Sequence, residues 1–332
     1  MSKWYIGEGD HNDIVISTRI RIARNLADYP FPVRLDNKSK IEVNEKIRDA
    51  LDGKENLTYT ELKTLTRSQI VSLAERHLIS PEFASNSDAR ALLMSDNEDI
   101  SIMLCEEDHI RIQVMKSGLA LKEAYELADK IDTEINQSLK YAFDEKLGYL
   151  TQCPTNLGTG MRASVMLHLP ALTAKGQIGS LASTVSKLGL TIRGAYGEGM
   201  SAMGDLYQLS NQVSLGISEK SAIDNLKTIT LQLAAQERAA REEASKNIET
   251  EDAVFRAYGI LKSARILSTK EFMSLISKVR LGAVLGMIKT DLKTINELMV
   301  SMQPATINAF VGKTLSLEER DVERAKIVRE RL

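Results

Sequence analysis

With 332 residues, the chain is long enough for one large domain with a satellite, or for two domains. Its 43% hydrophobic and 27% charged residues describe an ordinary core and surface, and a net charge of −2 argues against a general nucleic-acid or membrane role. No apolar run approaches the roughly 20 residues that span a bilayer, Met1–Asp10 lacks a signal-peptide core, and two cysteines build no disulfide framework. A reducing, cytoplasmic setting is therefore expected. The four histidines, His11, His77, His109 and His168, have no metal-ligand spacing, which argues against structural zinc.

In chain order, residues 14–215 mix short alternating strands with helical stretches such as 119–141. Thr18-Arg-Ile-Arg-Ile22 places Arg19 and Arg21 on one strand face and Ile20 and Ile22 on the other. Residues 99–115 read as a hairpin, with strands 100–104 and 110–115 joined by the acidic turn Glu106-Glu-Asp108, and Arg111 on the polar face of the second strand. From Arg162 onward, Arg162, Ser164 and Met166 share a face opposite Ala163, Val165 and Leu167. Thr191-Ile-Arg193 supplies a fifth arginine. A polar sheet face carrying five guanidiniums makes a poor core and a good receptor for a polyphosphate, because guanidinium binds phosphate oxygens in pairs and stays charged.

Residues 219–247 read as one long helix, apolar at Ile223, Leu226, Ile229 and Leu233. The acidic run Ile248-Glu-Thr-Glu-Asp252 is expected to break the pattern and mark a boundary between residues 1–247 and a helical unit at 252–332. Within that unit, Ser268-Thr-Lys-Glu271 and Ser316-Leu-Glu-Glu319 have the form of capping boxes.

Four segments, taken together, resemble the ATP:guanido phosphotransferases, the family of creatine and arginine kinases. They are Ser17-Thr-Arg-Ile-Arg21, Glu106-Glu-Asp-His-Ile-Arg111, Gly148-Tyr-Leu-Thr-Gln-Cys-Pro-Thr-Asn-Leu-Gly-Thr-Gly-Met-Arg162 and Arg193-Gly-Ala-Tyr-Gly-Glu198, in the family's order. Leu157–Pro170, Arg193–Gly199 and Arg320-Asp-Val-Glu-Arg-Ala325 are most similar to its bacterial protein-arginine kinase branch. The resemblance implies an α+β fold, with an antiparallel sheet flanked by helices, followed by a small all-helical C-terminal domain. Only sixteen residues precede Ser17, where creatine and arginine kinases carry a helical domain that encloses a small substrate. The expectation is an open site that admits arginine on a protein.

By the same resemblance, Arg19, Arg21, Arg111, Arg162 and Arg193 clamp the phosphates of ATP, and Mg2+ neutralises part of their charge, with Glu106 holding it through waters. A protonated guanidinium is a very weak nucleophile, so a carboxylate must orient it and take its proton. Glu107 matches the family's catalytic glutamate, Glu198 its second carboxylate, and Cys153 its reactive cysteine, here expected to modulate rather than to be essential. Arg320, Asp321 and Arg324 match a phosphoarginine-binding motif, although such spacing also suits any exposed salt-bridged helix.

Three positions depart from the family pattern. Cys105 stands where Asn is common, Met166 replaces a His and suggests an apolar contact to adenine, and Met200-Ser201 alters the acceptor loop. The partners that the resemblance implies are protein substrates with exposed arginines, a zinc-binding activator, a Clp ATPase, a heat-shock repressor and a second copy in a homodimer. Two rivals stand beside this reading. One is a phosphagen kinase for free arginine or another small guanidine, and the other a non-catalytic phosphoarginine adaptor.

Overall fold

A computed structural model describes residues 3–196 and 202–332. The chain opens with β1 (Val15–Arg24), a 3-10 turn at Pro32–Arg34 and α1 (Asn37–Ala50), capped by the Asp36 side chain. Then come β2 (Leu57–Glu61), α2 (Arg67–Glu75), α3 (Pro81–Ser85), β3 (Ala91–Ser95), β4 (Ile100–Leu104), β5 (Ile110–Ser117) and α4 (Leu121–Asn136). A small hairpin of β6 (Phe143–Asp144) and β7 (Gly148–Tyr149) precedes β8 (Met161–His168), α5 (Pro170–Ala174), α6 (Ile178–Ser186), β9 (Leu190–Gly194) and β10 (Leu206–Asn211). The remainder is helical: α7 (Glu219–Ala244), α8 (Ile248–Ser263), α9 (Thr269–Val284), α10 (Leu292–Ser301), α11 (Pro304–Val311) and α12 (Leu317–Arg331).

Eight strands form one antiparallel sheet in the order β2-β3-β4-β5-β1-β8-β10-β9. Because side chains alternate along each strand, the sheet has two distinct faces. Ile20, Ile22, Ile112, Val114, Ala163, Val165 and Leu209 bury one face beneath α4 and α7. The opposite face carries the arginines at its centre. Around them the face turns apolar, and Met103, Met115 and Met166 join Trp4, Phe83, Phe272, Ile276 and Leu298 in a second core. The α+β reading with a helical C-terminal part thus describes the fold.

The C-terminal helices are bolted onto that sheet. Arg280 of α9, fully buried, donates to the carbonyls of Asp13 (2.8 Å) and Asn12 (2.7 Å) and to Asn296 Oδ1 (2.9 Å). It also faces Nδ1 of buried His168 at 3.0 Å, while His168 Nε2 meets Ser277 Oγ at 2.9 Å. Burial beside Arg280 and Arg241 holds the His168 imidazole well below its usual pKa, so it stays neutral, with Nδ1 accepting from the guanidiniums.

The acidic run at 248–252 is a correction to the sequence reading. It is the first turn of α8, capped by the Asn247 side chain, which accepts from Glu249 N at 2.9 Å. Acidic side chains at that end oppose the positive end of the helix dipole, so the break lies at the three residues between Ala244 and Ile248.

Candidate active site

Pairing register converts five scattered arginines into one cluster. Arg21 of β1 lies directly opposite Arg162 of β8, Arg19 opposite Ser164, and Gln208 of β10 opposite Arg193 of β9. Arg111 enters from β5, two positions off Arg21, since Ala23 is its partner. All five guanidinium-bearing residues line one cavity of about 600 Å³, together with Glu75, His77, Ser80, Tyr196 and Gln208.

Few protein anions meet these charges. Arg19 donates to Gln208 Oε1 at 2.7 Å and Ser164 Oγ at 3.4 Å, both neutral. Burial, then repulsion from Arg111 and Arg162, brings its pKa down to about 10. Arg21 is depressed further by burial and by Arg19, Arg111 and Arg162, and its Nε is buried with no hydrogen-bond partner. A desolvated, mutually repelling set of cations is stable only at a cost that a polyanion relieves.

Arg111 leads to the carboxylates. It pairs with Glu106 Oε2 at 2.9 Å and Glu107 Oε2 at 3.1 Å, and Ser80 Oγ donates to Glu106 Oε1 at 2.6 Å. Arg111, Glu107, Cys153, Arg21 and Arg162 share a second cavity of about 190 Å³. The Cys153 thiol lies 3.0 Å from Thr155 Oγ1, on the same cavity as Glu107, and pulls the Glu107 carboxyl slightly down. Burial, then the neighbouring Asp108 charge, pushes the Glu107 carboxyl above its ordinary value against the pull of Arg111.

The turn bearing Glu107 is held from behind. Asp108 Oδ1 accepts from Asn25 Nδ2 (2.6 Å) and Gln152 N (2.9 Å), and His109 Nδ1 accepts from Leu26 N (3.0 Å). Burial brings His109 down to about 4, so its neutral ring donates from Nε2 to Pro30 O at 3.0 Å. Cys105 adopts φ +56°, a left-handed conformation that Asn tolerates better than Cys, and burial pushes its thiol up to about 12. On the other side, Gly160 (φ +64°) lies so close to the Ala23 carbonyl that a Cβ would stand 2.6 Å from it. Glycine there lets the loop carrying Cys153 pass beside β1.

Glu198 and Met200-Ser201 lie outside the described residues. Met166, expected against adenine, is buried among Ser164, Met115, His77 and Gln208 in a small recess near the cavity. Glu106 has one carboxylate oxygen bonded to Ser80 and the other paired with Arg111. Among the described residues no group of three His, Cys, Asp or Glu could hold a metal ion. Both oxygens of Glu106 are thus engaged by protein groups.

His77 escaped the sequence reading. It adopts φ +60°, packs tilted at 4.7 Å against Tyr196, lines the large cavity, and keeps a buried Nε2 with no partner. Its desolvated ring falls to about 3, so it stays neutral at the edge of the cavity. A lone histidine after an apolar stretch gives no periodic signal, and only the left-handed turn aims it.

The C-terminal motif separates on inspection. Arg324 is fully buried and gives its guanidinium to Met302 O (2.9 Å), Leu267 O (2.6 Å), Thr269 Oγ1 (2.9 Å) and Asp321 Oδ1 (2.6 Å). It clamps α12 to the starts of α9 and α11 and is spent as a phosphate donor. Arg320 remains half-buried, with no side-chain partner among the described residues, beside Asp321. Arg324→Ala should therefore lower stability by about 3–5 kcal/mol, read as a denaturant midpoint, whereas Arg320→Ala should leave the midpoint in place.

Residues 39–240 match the ATP:guanido phosphotransferase C-terminal catalytic domain, and residues 247–332 match the protein-arginine kinase McsB C-terminal domain. The chain is 48% identical over 323 residues to the protein-arginine kinase of Caldanaerobacter subterraneus subsp. tengcongensis, covering 95% of this chain and 96% of that protein. It is 46% identical over 339 residues to the protein-arginine kinase of Clostridium acetobutylicum, covering all of both chains. Among solved structures, it resembles lombricine kinase (TM-score 0.62, 30% identity, 73% of this chain and 70% of that one). It also resembles the duplicated taurocyamine kinase of Schistosoma mansoni (TM-score 0.64, 26% identity), covering 80% of this chain and 40% of that longer one.

Proposed function

From the premise that this chain belongs to the ATP:guanido phosphotransferase family, and within it to the protein-arginine kinases, we propose how the site transfers phosphate and to what end. The convergence of five arginines on one cavity, three of which (Arg21, Arg111 and Arg162) also line the cavity of Glu107, carries this reading. ATP is the phosphoryl donor. Arg19, Arg21, Arg111, Arg162 and Arg193 hold its phosphates, and the neutral His77 ring borders the space for the nucleoside. Mg2+ travels with the phosphates and neutralises part of their charge.

Transfer is in line and depends on positioning and charge compensation. The acceptor guanidinium lies against Glu107, which takes its N–H proton as the new N–P bond forms and the bond to the leaving ADP oxygen breaks. Arg162 and Arg21, opposite each other across β1 and β8, stabilise the charge on the phosphoryl group in flight. Cys153, beside Glu107 in the same cavity, tunes that carboxylate. Glu198 is proposed as the second carboxylate on the acceptor.

The acceptors are arginine side chains of proteins, and the product marks those proteins for Clp-type proteolysis and inactivates a heat-shock repressor in the cytoplasm. A zinc-binding activator and a homodimeric state belong to the same reading. Arg320 and Asp321 bind the phosphoarginine product, Arg320 at the phosphoryl group and Asp321 at the guanidinium.

Phosphorus NMR of the purified protein with magnesium-ATP tests this, with an unfolded arginine-rich protein in one tube and free arginine in another. An acid-labile N–P signal on the protein alone is the expected result. A signal on free arginine alone would replace the reading with a phosphagen kinase.

A further inference from the structure

Beyond Glu107 lies a third cavity, of about 650 Å³, that neither the phosphates nor the reacting groups require. Glu106, Glu107 and Arg111 form its inner end, and Arg111 lines all three cavities in succession. Glu82 also borders both this groove and the nucleotide cavity. The outer end consists of Pro32, Val33, Lys40 and Gln152, none of which reaches the nucleotide cavity.

Three observations give this outer end a character of its own. Val33 is 71% exposed, an apolar side chain held out by a 3-10 turn. That turn is rigidly referenced to the catalytic carboxylate, because His109, two residues after Glu107, bonds Leu26 N and Pro30 O. Glu106 is tied to Ser80 and Arg111, whereas Arg90 gives one nitrogen to the carbonyls of Glu82, Phe83 and Asn86 and meets no carboxylate among the described residues. Lys40 lies on the outer side. Its amine has no ion partner among the described residues, although its carbonyl accepts from the Cys105 thiol.

We propose that this groove seats the polypeptide on either side of the target arginine, with Val33 contacting an apolar neighbour and Lys40 selecting an acidic one. The inference rests on the protein-arginine kinase reading and names its substrate preference. An arginine whose guanidinium reaches Glu107 from the groove must lay its own backbone over Pro32, Val33 and Lys40. Among the described residues, Lys40 and Arg90 bring two positive charges without a carboxylate partner to the groove, against the one unpaired carboxylate of Glu82, so a carboxylate beside the target arginine is favoured, and a lysine there is disfavoured.

The test uses the full chain and two unstructured synthetic peptides, each with one arginine flanked by aspartates or by lysines. The wild type should phosphorylate the aspartate peptide with a kcat/KM about three- to fivefold above the lysine peptide, the scale of one exposed ion pair. Added salt should erode that ratio. Lys40→Glu should invert it, a result that misfolding cannot produce. Val33→Asp should raise KM for both peptides without moving KM for ATP. Equal ratios in wild type and Lys40→Glu, or unaltered peptide kinetics in Val33→Asp, would overturn the groove. Absence of transfer to either peptide by a wild type that phosphorylates free arginine would overturn the parent reading, and the groove with it.

Discussion

Glu107→Gln should reduce phosphoryl transfer by about 10²–10⁴-fold, the usual worth of a positioned general base, while ATP continues to bind. Glutamine has the same length and still offers an oxygen to Arg111, which lies 3.1 Å from the native carboxylate. What disappears is the ability to accept a proton. The arginines around the phosphates are untouched, so nucleotide affinity measured by calorimetry should persist. The pH dependence supplies a second readout. Glu107 acts ionised, so the rate is lost as pH falls through its pKa, and burial with the Asp108 charge places that pKa above the ordinary carboxylate value. The acid limb of wild-type activity should therefore lie higher than a solvated glutamate gives, and should vanish from the residual activity of the variant. Wild-type transfer by Glu107→Gln would sink the assignment of the base.

The arginine face was legible because period-two alternation is local: Arg19 and Arg21 must share a face whatever the strand pairs with. Their convergence was not. It depends on register, and Arg21 meets Arg162 only because β1 and β8 are antiparallel neighbours aligned at that residue. His77 was invisible for a similar reason, since a turn at φ +60° decides whether a lone imidazole points into the core or into the cavity. In the C-terminal helices, spacing put Arg320 and Arg324 on one stripe. Whether each faces solvent or the carbonyls of Met302 and Leu267 is a matter of packing that helical periodicity leaves open. The acidic run at 248 is polar enough to suggest a break, yet Glu249 and Glu251 behind the Asn247 cap are what a helix start favours.

Arg21→Met should produce opposite changes in activity and in the stability of the nucleotide-free protein. The native side chain lies on β1 directly across from Arg162, near Arg19 and Arg111, and its Nε is buried without a partner. Burial and three like charges depress its pKa strongly, with only Glu106 opposing. A guanidinium remains charged in the unfolded chain at any ordinary pH. Its depressed native pKa therefore means that folding carries a standing electrostatic cost, present across the working pH range rather than at one end of it. Methionine fills much of the same volume along the aliphatic stem and removes the charge. The nucleotide-free variant should accordingly melt at a higher temperature than the wild type. Transfer should fall by about 10²–10³-fold, the scale of losing one preorganised donor to a developing charge. Nucleotide should also stabilise the two proteins unequally. At about 100 times its Kd a ligand adds about 2.7 kcal/mol to the native state, and Arg21→Met, with a weaker Kd, should gain less at the same ATP concentration. A variant that melts below the nucleotide-free wild type would mean that Arg21 is held by favourable contacts, and the repulsive cluster would no longer explain why this face awaits a polyphosphate.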